Sequence, residues 1–315
     1  MHSGQAEVGS RAIDVAYAID RAYAPWAATS MLSLVERHAA GALRFHVLHA
    51  CELRDDDVER LAAVAAVGGS PLTVHHVPRE RVEALPAIDR FGTVVWLRFL
   101  LPELLPDCDR VLYLDADTYA AQAIDGLWET ELDGTSIAAA PNVVDPAVHD
   151  HVRSLGLDPR RFFNSGVLLL DLREMARRDS VTQLLRFATD NAAKLWWPDQ
   201  DALNVVFAED WHPLELRWNV QNSVIYWRRW AEDIAGSAAV RAATRDPGIV
   251  HFEGPSFVKP WHALCGHPWR AAYRETFART PWAGRPLEDD QLAVRLLARL
   301  PFHVRTRAYV RLRER

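Results

Sequence analysis

Short apolar runs alternate with helical stretches through the first 140 residues, and this alternation constrains the fold more than any other feature of the chain. Residues 13–19, 45–49, 72–77, 111–114 and 135–140 are rich in apolar residues and short enough for buried strands. Between them, residues 27–38 place Ala28, Met31, Leu32 and Val35 on one helical face. Residues 55–67 open with three aspartates and stop at Gly68-Gly69, which suits the two ends of a helix. Residues 94–105 predict a further helix, bent or restarted at Pro102. Strands alternating with helices point to an α/β fold, a doubly wound, mostly parallel open sheet flanked by helices. Ligands of such sheets bind beyond the carboxyl ends of the strands. Asp20 and Asp115 stand at two of those ends.

The second half is less regular. Residues 166–172 predict a strand and 181–191 a helix. From Gln291 a helix is expected with Leu292, Leu296, Leu297 and Leu300 on its apolar side, broken by Pro301. No linker or repeat divides the chain, so residues 11–280 read as one catalytic domain between a flexible stretch at 1–10 and a basic extension at 281–315. With 315 residues, 49% of them hydrophobic, the chain needs neither disulfides nor metal simply to fold. Cys51, Cys108 and Cys265 are too few and scattered for a disulfide framework, so a reducing, cytoplasmic location is expected. No run of 18 apolar residues predicts a membrane span, and residues 1–10 lack the marks of a signal peptide. The net charge is −6, yet residues 291–315 hold seven arginines and one glutamate; a basic nucleic-acid binder is therefore excluded for the main body. Six of the twelve tryptophans (Trp196, Trp197, Trp211, Trp218, Trp227 and Trp230) fall within 35 residues and suggest a platform for an acceptor, or core packing.

Asp115-Ala116-Asp117, directly after an apolar strand, is the strongest chemical signal. Two adjacent carboxylates repel each other and favour a shared hard cation such as Mn²⁺ or Mg²⁺; capping of a following helix is the competing explanation. His251, after another apolar run, is either a core histidine or a third ligand that favours Mn²⁺. The segment 254–262 offers a permissive glycine, Gly254, and a lysine, Lys259, that could meet phosphate; a plain surface loop is the alternative. Asn164-Ser165-Gly166 and Asp199-Gln200-Asp201 are polar clusters suited to sugar hydroxyls or, more simply, to turns and caps. There is no P-loop lysine motif and no Rossmann glycine fingerprint.

Taken in order, five segments resemble family 8 of the retaining glycosyltransferases, the group of glycogenin and bacterial lipopolysaccharide galactosyl- and glucosyltransferases. They are residues 18–24, 110–117, 162–169, 199–204 and 251–261, with Arg217-Trp218-Asn219 adding a likeness to the α-galactosyltransferases. The resemblance implies a GT-A fold and a UDP-sugar donor. It places Asp20, with Tyr23 beside it, at the nucleotide; Asp115, Asp117 and His251 on Mn²⁺, with Mg²⁺ as the alternative; and Lys259 on the diphosphate, with Gly254 allowing close backbone approach. Arg98 falls near the phosphates and the donor sugar. Asn164, Asp199 and Gln200 surround that sugar, Gln200 nearest the anomeric carbon. Charge developing on UDP would be met by metal and lysine. Retention by same-face attack and retention through a covalent intermediate both stay open.

The chain departs from the pattern at three places. Arg21 follows Asp20 where two acids are common, the 254–259 loop is longer, and Asn142 stands where close relatives carry a carboxylate. An asparagine can orient a hydroxyl but cannot take its proton. Residues 142–161, with His149, His151 and Arg153, are expected to form a loop or lid near the donor sugar. The expected acceptor is a saccharide, a lipid-linked sugar or a small hydroxyl compound, with no nucleic acid. The arginine-rich tail suits the anionic inner face of a membrane, a partner or a second copy of the chain. A non-catalytic UDP-sugar-binding scaffold is the alternative function, and a metal-dependent nucleotidyltransferase or hydrolase a third.

Overall fold

Alternating faces along each strand build two cores. Leu112 and Leu114 point to one side of the sheet with Val15, Tyr17, Phe45 and Val47, and Val111 and Tyr113 point to the other with Ala16 and Leu48. Helices cover both sides. In the computed structural model residues 12–50, 53–83, 85–86, 92–143 and 145–313 are described; Cys51 and the N-terminal stretch 1–10 lie outside them. The main strands are β1 (Ile13–Ala18), β2 (Leu43–His49), β3 (Leu72–His76) and β4 (Arg110–Leu114). They are followed by β5 (Thr118–Ala120), β6 (Ile137–Pro141), β7 (Phe163–Asp171), β8 (Trp211–Pro213), β9 (Val220–Gln221) and β10 (Ile249–His251).

Among the described residues, seven strands form the large sheet in the order β3-β2-β1-β4-β7-β6-β8. Every neighbouring pair is parallel except those of β7, which runs antiparallel to both β4 and β6. The sheet is mostly parallel, as expected, with the one reversed strand β7 making it mixed. The helix Asp55–Val67 matches its prediction, whereas the first helix is Ala24–Val35, because Pro25 is accepted in a first turn whose N–H groups have no helical partner anyway. Residues 94–105 split into a 3₁₀ turn, Val94–Leu100, and a short helix, Leu101–Leu104, that begins around Pro102.

The chain leaves β1 for β2 on one side and returns to β4 on the other, so the carboxyl ends of β1 and β4 flank a crevice. A small sheet, β5-β10-β9, sits at that point. Its antiparallel register sets His251 opposite Thr118, one residue beyond Asp117, and Phe252 N–H donates to the Asp117 carbonyl at 2.9 Å. Two residues distant by over 130 positions are thereby fixed side by side. At the C-terminus, helices Leu292–Leu297 and Phe302–Arg313 are separated at Pro301 as predicted. Their inward face is corrected in part: Val294 is buried against Ala263 and Leu264 with Leu297 packed beside it as expected, while Leu292, Leu296 and Leu300 are exposed.

Candidate active site

The strand β4 ends at Leu114, and the turn that follows throws Asp115 and Asp117 into the crevice while Ala116 packs into the core. Asp115 N–H donates to the Gly166 carbonyl at 2.8 Å, which extends the β4–β7 pairing past the strand. His251 Nε2 lies 3.3 Å from Asp117 Oδ1 and 3.8 Å from Asp115 Oδ2. One ligand atom from each of the three residues falls within 4.8 Å of the others. Gly166 makes the room: a Cβ there would stand 2.2 Å from His251 Cε1 and 2.8 Å from Asp115 Oδ2.

Cations flank the pair. Lys259 Nζ is paired with Asp117, and Arg98 bridges Asp115 and Asp199, 3.0 Å from each. Arg98 also donates to the carbonyls of Ser165 at 2.9 Å and Val95 at 3.2 Å, and stacks 4.3 Å from the centre of the Tyr113 ring. Burial works to neutralise Asp117, but the charges of Lys259 and His251 outweigh it and hold the carboxyl below its usual range. Burial likewise opposes charge on His251 and Lys259, and Asp117 more than offsets it, so both are raised. Asp199 differs: burial raises it, and Arg98 only partly compensates.

A polar layer backs the acids. Asp199 Oδ2 accepts from Ser165 Oγ at 3.1 Å, and Gln200 Oε1 accepts from Ser165 N–H at 3.0 Å. Both come from the start of the helix Pro198–Val206. Asn164 Nδ2 donates to Asn142 Oδ1 at 3.0 Å. Asp20 lies at the rim, where its carboxylate accepts from Tyr23 N–H at 2.8 Å. The Tyr23 ring meets Trp261 edge-on at 6.2 Å, two residues past Lys259. Gly254 has φ +97°, a conformation that favours glycine.

The structure thus gathers Asn142, Asn164, Arg98, Asp115, Asp117, Asp199, Gln200, His251 and Lys259 into one connected site, with Asp20, Tyr23 and Gly254 around it. The sequence marked Ser165, Gly166 and Asn219 only as members of motifs; it did not show that Ser165 binds Asp199, that Gly166 makes room for the acids, or that Asn219 meets His251. The legible sign was a glycine directly after Asn164-Ser165, at the head of an otherwise apolar run. The described residues of the 142–161 segment form two 3₁₀ turns, Pro146–Val148 and Pro159–Arg161, on either side of the helix His149–Ser154, and His151 is buried with its Nε2 2.9 Å from Asp201 Oδ2. The tryptophan cluster largely packs inward: Trp211 is buried and Trp218 lies against the core, while Trp196 is 49% exposed. A second grouping, Asp14, His46 and Cys108, has ligand atoms equally close. There Arg44 already holds both Asp14 oxygens, and its charge repels a cation.

An α/β sheet with two acids and a histidine at its switch point, flanked by an arginine and a lysine, is the frame of a GT-A type sugar-transferring enzyme. The profile described as glycosyl transferase family 8 matches residues 14–265. The chain belongs to that family. It is 26% identical over 279 residues to the lipopolysaccharide 1,2-glucosyltransferase of Escherichia coli (strain K12), covering 87% of this chain and 80% of that protein. It is 25% identical over 235 residues to general stress protein A of Bacillus subtilis (strain 168), covering 73% and 80%. Among solved structures, the galactosyltransferase LgtC in complex with donor and acceptor sugar analogs superposes with a TM-score of 0.73 at 25% identity, over 85% of this chain and 96% of that one.

Proposed function

We propose that the chain transfers a hexose, galactose or glucose, from a UDP-sugar to a hydroxyl acceptor with retention at the anomeric carbon. The convergence of Asp115, Asp117 and His251 beside Lys259 carries the reading. Two carboxylates and an imidazole suit Mn²⁺, or Mg²⁺ less well, and the space that a Cβ on Gly166 would fill is kept open beside them. A bound cation would supply Lewis acidity to the departing diphosphate. In this reading Lys259 turns from Asp117 to the diphosphate, and Gly254 lets the backbone approach it. Asp20 and Tyr23 border the nucleotide. Arg98, saturated by its own partners, holds Asp115 and Asp199 in place. Asp199, Gln200 and Asn164 orient the donor sugar, with Gln200 nearest the reacting carbon.

Asn142 has no proton-accepting capacity, so the acceptor's proton passes to a donor phosphate oxygen as the sugar is attacked on the departing face. We assign catalysis to residues 11–280. The extension 281–315 carries exposed Leu292, Leu296, Leu300, Val304, Val310 and Leu312 among arginines, which supports docking on an anionic membrane surface. No helix among the described residues is long and apolar enough to cross a membrane.

The test is release of UDP from UDP-galactose, UDP-glucose and UDP-N-acetylglucosamine, each with Mn²⁺ or with chelator. Metal-dependent release from one hexose donor is expected, and Asp117→Asn abolishes it. Asn142 favours one second reading, a scaffold that binds UDP-sugar and does not turn it over; tight binding with no release across an acceptor panel would establish that instead. Release of UMP would point to a nucleotidyltransferase or hydrolase.

A further inference from the structure

His251 has two ring nitrogens in different surroundings. Nε2 faces the carboxylates, while Nδ1 lies 3.0 Å from Asn219 Oδ1. Asn219 is fully buried. Its Nδ2 donates to Asn164 Oδ1 at 2.8 Å, and Asn164 Nδ2 donates in turn to Asn142 Oδ1 at 3.0 Å. Three carboxamides and one imidazole form a single line.

Such a line has a direction, since each amide presents a donor at one end and an acceptor at the other. One link decides it. The Gly166 main-chain N–H donates to Asn164 Oδ1 at 3.0 Å, and a strand amide held in β7 cannot be turned round. Asn164 therefore keeps its oxygen on that side. Asn219 must offer its N–H₂ to that oxygen, which leaves Asn219 Oδ1 for the imidazole. The ring must then carry a proton at Nδ1. Reversing Asn219 would set oxygen against oxygen and force the ring proton onto Nε2, the nitrogen that faces the acids.

We propose that Asn219 is a positioning residue that locks His251 in the Nδ1–H tautomer, so that the Nε2 lone pair is presented to a divalent cation between Asp115 and Asp117. The orientation originates in the β7 backbone and is relayed through Asn164. Asn142 ends the relay as its final acceptor, a task an asparagine oxygen performs as well as a carboxylate. The inference rests on the metal reading above, and it gives Asn142 a use that needs no basicity.

The first experiment titrates Mn²⁺ alone into the full chain, with free Mn²⁺ read by electron paramagnetic resonance. Asn219→Leu keeps the number and branching of side-chain heavy atoms and removes the acceptor; affinity should fall about 10- to 100-fold, the usual effect of losing the partner of a metal-bound histidine. Asn219→Asp keeps an acceptor for Nδ1–H while giving up the donor to Asn164, and should bind Mn²⁺ more tightly than Asn219→Leu. The second experiment needs no variant: ¹⁵N-labelled histidine in the wild type with diamagnetic Cd²⁺ should show His251 protonated at Nδ1. Equal Mn²⁺ affinity in wild type and Asn219→Leu overturns the proposal, as does a proton on Nε2 with Cd²⁺ bound. Wild type that takes up no Mn²⁺ removes the metal reading and this proposal together, so the two failures are distinguishable.

Discussion

Gly166→Ala separates a steric role at the site from an ordinary glycine in a strand. The backbone of Gly166 is outside the left-handed region, so alanine meets no conformational refusal there. By itself such a change should stabilise the protein by about 0.4–1 kcal/mol, through the unfolded chain. The site reverses that sign. The new Cβ would lie 2.2 Å from His251 Cε1, against an ordinary carbon–carbon contact of about 3.5–4.0 Å, so the ring must retreat by more than about 1 Å. His251 is buried and tied to Asn219, and Asp115 on the other side is tied to Arg98. Neither neighbour is a free chain end. Overpacking of this kind costs about 1–3 kcal/mol, which lowers the melting temperature by several degrees in a chain of this size. A displacement of about 1 Å in a catalytic constellation costs on the order of 100-fold in rate. Thermal unfolding, Mn²⁺ titration and UDP release on the same preparation test all three. A variant as stable as the wild type, with unchanged Mn²⁺ affinity and release, would refute the steric reasoning outright.

Gly254→Ala should behave differently, because its φ of +97° is strained for alanine while the nearest atom, Val258 Cγ2, is 3.6 Å from the added Cβ. We expect a loss of about 1–3 kcal/mol in urea unfolding with Mn²⁺ affinity retained; no loss would mean the loop relaxes freely. Lys259→Ala strips Asp117 of its ammonium partner, so the variant should be less stable than wild type in chelator and gain more from added Mn²⁺. Equal thermal shifts on Mn²⁺ addition would show that lysine and cation do not compete. His267 is buried, and that burial, aided by Arg270 and Arg305, pushes its pKa down to about 3 from an ordinary 6.5. The unfolded chain therefore takes the proton first as pH falls, and the histidine's contribution is intact above about pH 6.5 and lost progressively towards pH 3. His267→Asn, which keeps an acceptor for Trp269 N–H, should lose roughly 2 kcal/mol less than wild type between pH 7 and 5; parallel pH profiles would contradict this.

What could be read from the residues was mostly local. The helix Asp55–Val67 announces itself with a first turn of aspartates and a Gly-Gly stop, and β4 with four apolar residues before an acid. Strand direction leaves no such trace. A fully buried strand reads the same either way, so the reversal of β7 came only from its pairing with β4 and β6. The amide line was invisible for a related reason: Asn142, Asn164, Asn219 and His251 come from four separate parts of the chain, and each asparagine alone resembles a turn residue. In the tail, hydrophobicity pointed to Leu292, Leu296, Leu297 and Leu300, but of these only Leu297 packs inward, beside the buried Val294. A leucine row among arginines is a stripe in search of a surface, and periodicity cannot say whether the surface belongs to this molecule.

The two cations of the site differ in ways that match different duties, and Lys259→Arg exposes the difference. Arg98 donates from three of its nitrogens to two carboxylates and two backbone carbonyls, so it is a permanent part of the floor. Lys259 holds Asp117 by a single point charge on a flexible stem, in a loop that starts at Gly254 and is stiffened by Pro255 and Pro260. A point charge can be exchanged for another cation; a planar fork that grips both carboxylate oxygens is harder to displace. Arginine at 259 should therefore bind Asp117 bidentately and exclude the metal. Lys259→Arg is expected to show weaker Mn²⁺ binding than both the wild type and Lys259→Ala, with UDP release at least as impaired as in the alanine variant. If arginine instead binds Mn²⁺ as well as lysine does, the cation at position 259 does not share Asp117 with the metal, and the exchange of partners proposed for Lys259 does not occur.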